Sequence, residues 1–139
     1  IAIYIMIDRR GDHMKKLIRM ASEARKKAFA PVTKYKVGAA LETKDGKIFT
    51  GCNVELPSFG AACCAERVAL FKAISEGYHK FKRLAVVTVA NPPSPPCGFC
   101  RQTLHEICPD IEIIMANTRG KSETIMLSDL LPKAYRMPK

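Results

Sequence analysis

Apolar residues recur at helical spacing at Leu17, Met20, Ala21, Ala24, Ala28 and Phe29, which predicts a helix from about Lys15 to Phe29. Pro31 closes it, because proline disfavours helical geometry in the residue before it. Val37 to Glu42 and Ile48 to Cys52 read as paired strands, turned at Asp45-Gly46, a dipeptide that accepts positive φ. A second helix is expected from about Cys64 to Gly77, where glycine favours a stop. The apolar, β-branched run Leu84 to Val89, bounded by the proline-rich segment Asn91 to Pro96, predicts a buried strand. A third helix follows from about Gly98 to Ile107, closed by Pro109, and then strands over Ile111 to Met115 and Thr124 to Leu127. Ser128 to Leu131 reads as a short helix with Ser128 or Asp129 near its start. The alternation amounts to a layered α/β domain.

The chain opens without Met, and its first stretch runs through Asp8 to His13 into Met14. Residues 1–13 are therefore read as a leader or vector-derived segment, and 14–139 as one domain. With 139 residues, 47% of them hydrophobic, the chain suits one compact core. No apolar run approaches the roughly 18 residues a bilayer crossing needs, and the start lacks the order of an export signal. A soluble, cytoplasmic protein is expected. Six cysteines then read as metal ligands or core residues before disulfides.

The net charge of +10 raises the question of a nucleic-acid partner. Lys15, Lys16, Arg19, Arg25, Lys26 and Lys27 cluster, but on the predicted first helix, whose apolar stripe accounts for them as a solvated face. No aromatic platform accompanies them, so nucleic acid is not the expected partner.

Candidate chemistry concentrates in Cys64-Ala65-Glu66 and Pro96-Cys97-Gly98-Phe99-Cys100. Both segments fall at predicted helix N-termini, where free N–H groups and the helix dipole stabilise thiolates. Cys97 and Cys100 share one face of a turn and Cys64 arrives from another helix, so one zinc ion could join the two. Three protein ligands leave a tetrahedral position for water, and Glu66 stands close enough to move its protons. A closed, purely structural site needs a fourth ligand. Cys63 would point elsewhere on the helix, Cys52 and Cys108 lack partners at ligand spacing, and His13, His79 and His105 show none. Cys52, Cys63 and Cys108 are expected to be small buried hydrophobes. Three thiolates overcompensate one zinc, and Arg67 and Arg101 are the candidate cations to offset the excess.

From about Arg25 to Tyr135 the chain resembles the small, homotetrameric, zinc-dependent cytidine deaminase family. The resemblance rests on Thr33 to Leu41, Thr50-Gly51-Cys52-Asn53-Val54-Glu55, Cys64-Ala65-Glu66-Arg67, Pro96 to Gln102 and Leu130-Leu131-Pro132. It implies a three-layered α/β/α domain with a mixed central sheet and one zinc per subunit on Cys64, Cys97 and Cys100. It further implies a proton shuttle at Glu66, and a ribose held by Asn53 and Glu55, chiefly at its 3′-hydroxyl. Tyr35 would pack on the pyrimidine, with Ala65 also among the substrate contacts. Arg67 would offset thiolate charge, with Arg101 and Gln102 beside it. Tyr135 would reach into a neighbouring subunit's site, so that a homotetramer shares its active sites. The implied reaction is hydrolytic deamination of cytidine or deoxycytidine, a step of pyrimidine salvage.

The chain departs from the family pattern at the pocket rim: Leu56-Pro57 replaces Asn-Ala, Val32-Thr33 replaces Tyr-Ser, and Pro95 replaces serine before Pro96-Cys97. Tyr35 and Tyr135 stand where phenylalanine is commoner. Rival readings are a blasticidin S-type aminonucleoside deaminase, a polynucleotide cytosine deaminase and a non-catalytic zinc interaction module.

Overall fold

A computed structural model describes residues 9–139. Its elements are helix α1 (Arg9–Arg25), strands β1 (Gly38–Thr43) and β2 (Ile48–Cys52), a 3-10 turn at Phe59–Ala61, helix α2 (Ala65–Ser75), strand β3 (Phe81–Thr88), helix α3 (Gly98–Ile107), strands β4 (Glu112–Asn117) and β5 (Ser122–Met126), and the single-turn helix α4 (Leu127–Leu130). The strands form one sheet in the order β2-β1-β3-β4-β5. β3 and β4 run parallel and every other pair is antiparallel, so the sheet is mixed.

Side chains alternate across the strands and divide the core in two. Ala39, Leu41, Leu84, Val86, Ile113 and Met115 face α2 and α3, whose Ala69, Leu70, Ala73 and Leu104 cover them. Ala40, Ala85, Val87, Ile114 and Ala116 face α1, which contributes Leu17 and Ala21. The result is the expected α/β/α sandwich. Small residues let the helices come close. A Cβ on Gly38 would lie 1.9 Å from the Ala21 carbonyl oxygen of α1, and one on Gly51 would lie 2.6 Å from both Ala65 O and Ala69 N of α2.

The first helix departs from expectation at both ends. It starts at Arg9 and runs unbroken through Met14, so no structural boundary follows residue 13 among the described residues, while residues 1–8 of the expected leader lie outside them. Polar anchors explain the extra turn: Arg10 Nη2 donates to Glu112 Oε2 at 3.0 Å, and His13 Nε2 lies 2.7 Å from Glu42 Oε1. At its other end the helix stops at Arg25, because Phe29 is taken up by pairing. Phe29 N donates to Asn53 O and Glu55 N donates to Phe29 O, which extends the sheet edge toward the site. The clustered cations do lie on a solvated face, with Lys15, Lys16, Arg19, Lys26 and Lys27 exposed.

β3 begins at Phe81, ahead of the expected Leu84, and ends at Thr88 with Val89 exposed. Its unexpected member Arg83 is buried by an ion pair, Arg83 Nε to Glu42 Oε2 at 3.2 Å. α4 starts at Leu127 without a side-chain cap, where Ser128 or Asp129 was expected to lead. Leu127 is buried in the core and its N–H donates to Ile111 O, so tertiary packing sets the entry to this turn. No helix among the described residues is long and apolar enough to cross a membrane.

The contact of Gly51 with α2 is backbone against strand, so neither partner can yield by rotating a side chain. Gly51→Ala is expected to lower stability by about 1–3 kcal/mol, as overpacking does, and denaturant unfolding of the purified variant measures it.

Candidate active site

Cys64 is the N-cap of α2 and Cys97 the N-cap of α3, both with extended backbone that turns their side chains across the helix mouth. Cys100, one turn into α3, is buried, and its N–H donates to Cys97 Sγ at 3.5 Å. The sulfurs of Cys64, Cys97 and Cys100 all lie within 4.8 Å of one another, and no other such ligand group occurs among the described residues. A tetrahedral zinc with bonds of about 2.3 Å to sulfur would separate its ligands by about 3.8 Å. Cys64 Sγ and Cys97 Sγ stand 3.7 Å apart. The donor set therefore fits zinc in both chemistry and spacing.

The protonation pattern supports the same conclusion. The Cys64 thiol is drawn down to about 5, first by its hydrogen bond with Cys100 and further by Arg67, against the opposing effect of burial. Cys100 is pushed strongly upward by that same hydrogen bond and by burial. One sulfur ionises and its neighbour then resists, as expected of thiolates crowded together without a cation. Arg67 is the cation that touches them: its Nη2 donates to Cys64 Sγ at 3.7 Å, and its guanidinium lies 4.4 Å from the centre of the Phe99 ring. Arg101, the other candidate, acts differently. Its Nε donates to Pro96 O at 2.7 Å and its Nη1 to Leu130 O at 3.0 Å, so it fixes the approach to the ligands by binding backbone.

Glu66 lies in the first turn of α2, only 5% exposed, with Oε2 3.5 Å from Cys100 Sγ. Burial, reinforced by the Cys64 charge, raises its carboxyl to about 6. It lines a cavity of about 530 Å³, together with Cys64, Cys97, Asn53, Glu55 and Tyr35. The far wall comes from Val86 and Thr88 at the end of β3 and from Ser94 to Pro96.

The expected substrate contacts divide. Glu55 and Tyr35 reach the cavity, with Glu55 gripped by Thr33 and Tyr35 partly exposed. Asn53 lines it too, but its amide is engaged on both sides: Oδ1 accepts from Val37 N and Nδ2 donates to Tyr35 O, each at 2.8 Å. It holds the Tyr35 loop as much as it faces the cavity. Ala65 does not line the cavity; it is fully buried against Gly51. Tyr135, 62% exposed, also lies outside this cavity, and its carbonyl accepts a hydrogen bond from Gln102 Nε2 at 3.1 Å. Cys108 is a core residue, its thiol pushed up to about 12 by burial. Cys52 and Cys63 are only half-buried, contrary to expectation, because Cys52 ends an edge strand and Cys63 lines the cavity. The sequence offered no signal for the cavity role of Val86, Thr88 or Ser94, which depends on how β3 meets the loop after it.

Comparison with known proteins follows this geometry. The profile of the cytidine and deoxycytidylate deaminase zinc-binding region matches residues 12–116. The chain belongs to this deaminase family. The cytidine deaminase of Halalkalibacterium halodurans is 46% identical over 120 residues, covering 86% of this chain and 91% of that protein. The cytidine deaminase of Sporosarcina psychrophila is 42% identical over 123 residues, covering 88% and 90% respectively. Among solved structures, the cytidine deaminase of Burkholderia pseudomallei superposes with a TM-score of 0.85 at 47% identity, over 87% of this chain and 98% of that one. The mixed sheet and the sulfur cluster of this deaminase-family chain are those of a zinc-dependent hydrolytic enzyme.

The raised Glu66 carboxyl gives a test in the metal-free protein. Between the ordinary value of 4.5 and about 6 the folded state binds the extra proton, so ionising Glu66 at higher pH weakens folding. Glu66→Gln is therefore expected to stabilise the metal-free protein at pH 7 by about 2 kcal/mol. The gain should fade as pH falls through that window, read by denaturant unfolding of both proteins side by side.

Proposed function

We propose that this protein hydrolyses cytidine and 2′-deoxycytidine to the corresponding uridines and ammonia. The observation that carries the reading is the placement of Glu66: a buried carboxylate 3.5 Å from a ligand sulfur, lining a cavity that Glu55 and Tyr35 also line. Zinc on Cys64, Cys97 and Cys100 supplies the Lewis acid that makes water nucleophilic near neutral pH. Glu66 would accept a proton from the attacking water and deliver it to N3 of the pyrimidine as C4 is attacked, then take the proton of the new C4 hydroxyl and give it to the departing amine, leaving a C4 carbonyl and ammonia. Arg67 lowers the negative charge that three sulfurs place at the site. Glu55, acceptor-only when ionised, takes hydrogen bonds from sugar hydroxyls, and Tyr35 lies against the base.

The cavity, about 530 Å³, is of a size that suits a single nucleoside. In this reading the protein works in the cytoplasm on free nucleosides and assembles as a homotetramer. Support for assembly comes from Phe71 on α2, Phe99 on α3 and Tyr135, large apolar side chains exposed near the cavity-forming helices. Gln102 holds the backbone at Tyr135, whose ring does not line its own cavity and in this assembly would complete a neighbour's.

In zinc-loaded protein, Glu66→Gln is expected to keep the metal and lose about 10²–10⁴-fold in kcat, followed by the ultraviolet change from cytidine to uridine with zinc measured on the same sample. Near-normal turnover would remove Glu66 from the proton path. Tyr135→Ala is expected to be impaired alone, yet to regain part of its activity when co-assembled with Glu66→Gln, since sites in the Tyr135→Ala subunits would pair an intact Glu66 with a Glu66→Gln neighbour's intact Tyr135. Mixed oligomers no more active than the separate variants would rule out shared sites.

A further inference from the structure

Glu55 is not a free carboxylate at the cavity rim. Thr33 Oγ1 donates to Glu55 Oε1 at 2.8 Å, and Thr33 N donates to Glu55 Oε2 at 3.3 Å. One residue therefore grips both oxygens, through hydroxyl and backbone together. The same hydroxyl accepts a hydrogen bond from Tyr35 N at 3.0 Å, closing a turn across Lys34, which adopts φ 61. A non-glycine residue in that region is uncommon and is maintained by surrounding bonds. Those bonds continue: Tyr35 O accepts from Asn53 Nδ2, and Val37 N donates to Asn53 Oδ1. The loop carrying Tyr35 and the strand extension carrying Glu55 are thus joined at two points, Thr33 and Asn53.

We propose that Thr33 is a positioning residue that determines sugar specificity: it aligns the Glu55 carboxylate so that its remaining lone pairs point into the cavity at donor hydroxyls of a nucleoside sugar. This rests on the functional reading above and extends it to a residue that does not act on the reacting ring. A carboxylate on a free side chain samples several rotamers and must be ordered when substrate binds. Two donors from one rigid turn do that ordering beforehand, which favours binding without altering the chemical step. Because the β-branched Thr33 has limited χ1 freedom, its hydroxyl is itself pre-aimed.

The experiment compares Thr33→Val, which removes the hydroxyl but keeps the shape, with Thr33→Ser, which keeps the hydroxyl, in zinc-loaded enzyme. Thr33 is exposed, so both variants should fold. For cytidine, Thr33→Val is expected to raise KM about tenfold, the scale of one hydrogen bond to a charged group, with kcat within about twofold. Thr33→Ser should restore the wild-type KM. With 2′,3′-dideoxycytidine, whose sugar lacks the hydroxyls that Glu55 would accept from, Thr33→Val should add no further penalty. An unchanged KM for cytidine, an equal penalty on the dideoxy substrate, or failure of serine to rescue would each overturn the inference while leaving the deaminase reading standing. Absence of uridine formation by the zinc-loaded wild-type protein would instead overturn that reading, and this inference with it.

Discussion

Crowding of negative charge is the constraint around which this molecule is arranged. Three sulfurs within 4.8 Å and a buried carboxylate beside them form a cluster that cannot be fully ionised without compensation. Each compensating feature has a structural origin. The start of α3 gives the Cys100 N–H to Cys97, Arg67 donates to Cys64, and the geometry matches a divalent cation. Bringing two helix mouths together requires α2 and α3 to lie on one face of the sheet, and the α/β/α layering does this. The fold and the chemistry are linked through the positions where these two helices begin.

Much of this was legible in the sequence because its signals are local. The third helix falls where the spacing placed it, since Cys97 as cap, the apolar period and Pro109 agree. Ligand spacing likewise identified Cys64, Cys97 and Cys100 before any coordinates. What was not legible depended on distant partners. Arg83 reads as polar and outside a strand until Glu42 supplies its buried counter-charge. Phe29 fits a helical stripe until Asn53 and Glu55 claim its backbone. Leu127 enters its turn by way of Ile111, which no capping rule could reveal.

The site shows the same division. Glu66 lines the cavity beside the three sulfurs, which, defined by chemical type, were identifiable from motif alone. Residues defined by orientation were not. Arg67 and Arg101 are equal candidates by position, yet one reaches a thiolate and the other binds carbonyl groups. Asn53 lines the cavity, yet both ends of its amide hold the loop beside it, Oδ1 accepting from Val37 N and Nδ2 donating to Tyr35 O.

The layer between α1 and the sheet sets Leu17, Val87 and Ile114 among small residues, Ala40, Ala85 and Ala116 on the sheet and Ala21 on the helix, and at Gly38 the two come closest. At Gly38 the seam has no slack, since a Cβ there would lie 1.9 Å from the Ala21 carbonyl oxygen and 2.5 Å from Arg25 N, both backbone atoms. Tolerance to substitution should thus map poorly onto distance from the reacting atoms: the face bearing no chemistry carries some of the least replaceable positions, whereas the cavity rim, built of bonded loops, leaves room for the chain to drift.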